Sequence, residues 1–218
     1  MEKGPEIRIV GNVSTEKKEQ VKKEMNQALF DHFESLPKEG QDQMRKLEYP
    51  KSEKEIALID FANEETSRLM QETGIEPYDV PLDNFHIVPP ELYKKIGSGG
   101  VATAFITRQG MIFDAQRFRD NPVYFGAVAL HELLHLKAHL SMEVWGENDE
   151  VEKTPYREGV TVKALQRYGY SGKYHEHFAG LHEAIVAETE KRLLGKLLDH
   201  PELAKEKEWL MSDEAKEM

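Results

Sequence analysis

The sequence predicts an α+β fold. Three observations carry it: helical apolar periodicity near both ends, short β-type runs between them, and no internal repeat. With 218 residues, 39% of them hydrophobic, the chain can bury one core and carry a small appendage.

Ile7-Arg8-Ile9-Val10 alternates apolar and polar residues and runs into Gly11-Asn12, a short strand and turn. Ser14 offers an N-cap for a helix with Val21, Met25, Leu29, Phe33 and Leu36 on one face, stopped by Pro37. Residues 38–54 lack periodicity and read as a linker. A second helix is expected from Glu55 to Thr73, with Gly74 beyond its end. Strand candidates follow at Phe85–Val88, Ala102–Thr107 and Met111–Phe113, with Gln109-Gly110 turning the last two into a hairpin. Asn121-Pro122 is a helix start, Asn capping and Pro in the first turn, for a helix to about Leu140. Thr154-Pro155 repeats that signal and predicts a helix to Arg167. A last helix is expected over Leu181–Leu198, and Pro201–Met218 is a charged tail expected to fray. The expected organisation is 1–54 as an N-terminal segment and linker, 55–200 as the main domain and 201–218 as the tail.

Composition narrows the function. Charged residues make up 32%, and the formal net charge is −11. Phosphate binding needs a concentrated basic face, so this balance argues against nucleic acid and against anionic membranes as partners. No apolar run approaches the length of a membrane span, and no apolar signal segment follows Met1, so a cytoplasmic setting is expected. There are no cysteines, which leaves imidazoles and carboxylates as the strong metal ligands.

Those residue types converge in His131-Glu132-Leu133-Leu134-His135. Residues i and i+4 share a helix face, so His131 and His135 can grip one zinc ion. Glu132, rotated by roughly 100°, stands beside the metal as a general base. Phe125, Ala129, Leu133, Leu136 and Leu140 form an apolar stripe that would hold the helix in the core. A catalytic zinc takes three protein ligands and keeps one position open. His139 lies about 6 Å further along the axis than His135, too far for one ion. Glu158, 23 residues after His135 (158 − 135), is the better third ligand, in a helix brought back by the polar loop Ser141–Lys153 and able to approach closely at Gly159.

HExxH on one helix with Glu158-Gly159 downstream resembles the gluzincins, the thermolysin-like zinc peptidases. The Pro155-x-x-Glu158-Gly159 phrasing is similar to the peptidase-MA-like branch, and the resemblance spans about Ala102 to Arg167. It implies a zincin-like core, His131, His135 and Glu158 as zinc ligands and Glu132 as general base. It also implies that Ala102–Thr107 is an edge strand on which an extended peptide or protein substrate could pair. Gluzincins usually add a Tyr or His that stabilises the oxyanion; Tyr168, Tyr170, Tyr174, His175 and His177 are the candidates. The expected activity is therefore a zinc-dependent metallopeptidase. The rivals are a silent zincin-type binding or regulatory protein and a non-peptide zinc hydrolase.

Overall fold

The computed structural model describes residues 5–30, 41–42, 46–97, 100–105, 109–118, 120–145, 152–165, 174–212 and 215. The fold is α+β. The elements run β1 (Ile7–Val10), α1 (Thr15–Phe30), α2 (Glu53–Glu72), β2 (Phe85–Val88), α3 (Pro90–Ile96), β3 (Ala102–Phe105), β4 (Gly110–Asp114), α4 (Ala115–Phe118), α5 (Pro122–Leu136), β5 (Leu140–Trp145), β6 (Glu152–Glu158), β7 (Thr161–Leu165), β8 (Tyr174–His177), α6 (Ala179–Leu198) and α7 (Ala204–Met211). Among the described residues no helix is long and apolar enough to cross a membrane.

The strands form two sheets. The smaller has the order β2-β4-β3, with β2 parallel and β3 antiparallel to the central β4. Alternation along β4 buries both faces. Met111 and Phe113 join the main core, whereas Ile112 packs with Val88, Leu92 and Tyr93 beneath α3. Phe113 meets Phe118 and Phe125 at ring separations of 5.7 and 5.1 Å, which ties the sheet to α4 and α5. The expected stripe on α5 is buried: Phe125, Ala129, Leu133 and Leu136 all lie in this core. Asn121 caps α5 through its side-chain oxygen, which accepts from the Tyr124 amide, and Pro122 opens the helix.

Two helices hold α5 in place. Ser52 and Glu55 form a capping box at the start of α2, whose Leu58, Ile59 and Ala62 pack into the same core. On α6, Leu193 and Leu197 join that core, and Gly126 of α5 leaves room for the Leu197 side chain. The C-terminal end of α5 is pinned to α2 by Lys137. Its buried Nζ donates to the Asn63 carbonyl at 3.0 Å and to Ser67 Oγ at 2.9 Å.

The larger sheet has the order β1-β5-β6-β7-β8. β1 is the parallel partner of β5, with Ile7 beside Leu140, and the other pairs are antiparallel. Ile7, Leu140 and Met142 bury against Met25 of α1. Leu140 therefore belongs to this second core, because α5 ends at Leu136.

Here the structure corrects three expectations. The helix expected from Thr154 to Arg167 is absent over its described part, where β6 and β7 form a hairpin; Gln166 and Arg167 lie outside the described residues. The β-branched Thr161 and Val162 favour strand, and Pro155 sits beside a register shift between Ser141 and Met142, where a missing N–H is tolerated. The expected reversing loop after Ser141 begins as β5; residues 146–151 lie outside the described residues. The start of the tail is also ordered, in α7.

Candidate metal centre

His131 and His135 lie one turn apart on α5, and their Nε2 atoms face each other at 3.2 Å. Zinc–imidazole bonds of roughly 2.0–2.1 Å at a tetrahedral angle separate two nitrogens by about 3.3 Å. The pair therefore fits one shared cation without rearrangement. Glu183, in the first turns of α6, completes a triangle: Oε1 is 3.5 Å from His135 Nε2 and Oε2 is 3.7 Å from His131 Nε2. The Glu183 side chain is 60% exposed, so this side of the triangle opens to solvent.

Each imidazole is also held from behind. His131 Nδ1 lies 3.0 Å from Glu190 Oε2, and His135 Nδ1 lies 3.0 Å from Nε2 of His182. Glu183, Glu190 and His182 all come from α6, and the buried Val186, Leu193 and Leu197 seat that helix. The hydrogen bond that His131 donates to Glu190 raises its pKa above the ordinary imidazole value; burial opposes this, and the charges of Glu132, Glu190 and Glu183 add to it. A field that favours a proton there favours a metal cation for the same reason.

Glu158 sits at the end of β6 rather than on a helix. Its Oε1 is 3.7 Å from His135 Nδ1, the nitrogen that faces away from His131. Among the described residues two clusters of potential ligands result: His131, His135 and Glu183, and His135, Glu158 and His182. They share His135 but use opposite nitrogens of its ring, and one ring cannot turn both to one ion. The structure brings His131 and His135 together with Glu183 and sets Glu158 behind them.

Glu132 is half-buried on the side of α5 that faces β3. Burial raises its pKa above the usual carboxylate range; the two imidazoles and the Ala104 backbone amide of β3 oppose that rise. β3 is the edge strand of its sheet among the described residues. The Asp114 amide donates to the Val101 carbonyl at 2.9 Å, which turns the peptide groups of 101, 103 and 105 toward β4. Those of Ala102 and Ala104 then point outward. Thr107, the last residue of the expected strand, lies outside the described residues.

His139 is exposed, follows the end of α5 and pairs with Ser141 Oγ at 2.9 Å, outside both clusters. Of the oxyanion candidates, Tyr168 and Tyr170 lie outside the described residues, as do the side chains of Tyr174 and His175. His177 ends β8 and is exposed. Sequence reasoning missed Glu183, Glu190 and the contact of His182. The available signal was His182-Glu183 with Glu190 two turns on, all on one face of a helix with Val186 and Leu193. No family model, curated protein or solved structure matches the chain.

Proposed function

We propose that the chain is a zinc-dependent hydrolase of gluzincin type that cleaves peptide bonds. The observation that carries this reading is the triangle of His131 Nε2, His135 Nε2 and the Glu183 carboxylate, with edges of 3.2, 3.5 and 3.7 Å. In this reading Glu183 takes the third position in place of Glu158. It is a glutamate from a helix packed on the motif helix, 48 residues after His135 (183 − 135), which suits the zincin-like core.

Zinc held there would supply Lewis-acid polarisation of a carbonyl and acidification of a water. The chain's own residues do the rest. Glu132 takes a proton from that water and passes it to the leaving nitrogen, a role suited to a carboxylate whose pKa burial raises. The outward peptide group of Ala102 and the outward carbonyl of Ala104 pair with an extended substrate beside Glu132, while the Ala104 amide stays on Glu132. Glu190 fixes the ring of His131, and its negative charge strengthens that ligand.

The test is elemental analysis of protein purified without added zinc, X-ray absorption at the metal edge, and cleavage of a mixed peptide library. One zinc per chain, two imidazoles and one carboxylate, and cut peptides are expected. Absence of zinc, with no uptake on reconstitution, overturns the reading. Zinc without cleavage of any peptide overturns the peptidase part of it.

A further inference from the structure

His182 and Gly159 form a second layer under the metal pair. An imidazole offers Nε2 to a metal only when that nitrogen carries a lone pair, so the ring proton must sit on Nδ1. His135 therefore needs an acceptor at Nδ1. The atom found there is Nε2 of His182, at 3.0 Å, on a residue only 6% exposed.

The seat of that second ring is set by a turn. Glu158 pairs with Thr161, leaving Gly159-Val160 as a two-residue hairpin turn, and Gly159 has φ of 54°. A Cβ on Gly159 would come within 3.0 Å of His182 Cε1 and Nδ1, closer than real Cβ atoms approach. The turn cannot yield freely, because the Gly159 amide donates to the His139 carbonyl at 2.7 Å, just past the end of α5. The hairpin, α5 and α6 thus meet at one imidazole.

We propose that His182, seated by Gly159, is a positioning residue. It accepts the Nδ1 proton of His135 and keeps the Nε2 lone pair of that ring turned toward His131. The idea rests on the zinc reading above and adds to it a tautomer lock in which the hairpin turn takes part.

The experiment measures zinc affinity of the full chain by competition with a chromophoric chelator, together with the visible spectrum of the cobalt(II) form. His182→Leu removes the acceptor and is expected to weaken zinc by about 10- to 100-fold and to alter the cobalt spectrum. His182→Gln restores an acceptor near the same point and is expected to recover most of the affinity. Gly159→Ala is expected to match the loss of His182→Leu, because it displaces the ring. In the double variant Gly159→Ala/His182→Leu the two losses should not add. The strain of alanine at positive φ is common to both backgrounds and cancels in this cycle. Wild-type affinity in His182→Leu, no rescue by glutamine, or full additivity overturns the proposal while zinc binding by the native chain still stands. A native chain that binds no zinc overturns both readings together.

Discussion

Glu190 stands behind His131, its Oε2 3.0 Å from the Nδ1 of a ring whose Nε2 faces His135. A carboxylate can only accept at that nitrogen when ionised, so it holds the proton on Nδ1 and leaves Nε2 for a cation. Glu190→Ala is therefore expected to lower zinc affinity by about 10- to 100-fold. Glu190→Gln, which keeps an acceptor but loses the charge, should lose less. Competition titration orders the variants, and an alanine form as tight as wild type contradicts the role.

Glu183 and Glu158 make opposite demands on the same measurement. Glu183→Ala opens the triangle and should remove tight zinc binding and all hydrolysis. Glu158→Ala leaves the triangle intact and should weaken binding modestly, through the field at His135 Nδ1. The reverse order would mean that His135 turns its other nitrogen to the metal.

For Glu132 the expectation splits binding from turnover. Glu132→Gln should retain one zinc per chain and lose hydrolysis by a factor on the order of 10²–10⁴. Metal content and initial rates on any peptide that the native chain cuts decide it. Rates near wild type would show that another group moves the proton.

Lys137 predicts a pH dependence of stability. Burial pulls its amine from the ordinary lysine value of 10.5 down to about 8, against the pull of Asp79. Between those values the unfolded chain binds more protons than the folded one, so stability rises with pH through that window. Near 10 a second group opposes it: burial holds the Tyr78 hydroxyl well above its ordinary value, and the unfolded phenol ionises first. Denaturant unfolding should show stability climbing from pH 8 toward 10 in the native chain, and a flatter profile in Lys137→Met.

Much of this molecule could be read from local pattern. Asn121-Pro122, the stripe from Phe125 to Leu136 and the i,i+4 histidines define α5 and one edge of the site, because each is a property of a single helix. What could not be read depended on elements meeting. Thr154-Pro155 looks like a helix start from its own chemistry, yet pairing with Glu143 and Met142 of β5 makes it strand. Glu158 reads as the third ligand because Thr154-Pro155 predicts a helix that the polar loop Ser141–Lys153 would return to the motif. Glu183 takes the better position because α6 packs across α5, and nothing within residues 179–198 says where that helix will lie.

The parallel pairing of β1 with β5 sets an order of assembly. Ile7 finds its partner only at Leu140, 133 residues later (140 − 7), so β1 leaves the ribosome long before the strand it pairs with. Meanwhile α5 can form early from local contacts, but the carboxylates of α6 arrive later still. The motif helix is thus made after α2 but before α6, so only one of the two helices that hold it is present when it emerges. Folding at this interface is dominated by distant contacts, a slow regime, and a nascent chain halted before α6 carries the HExxH helix without Glu183 or Glu190.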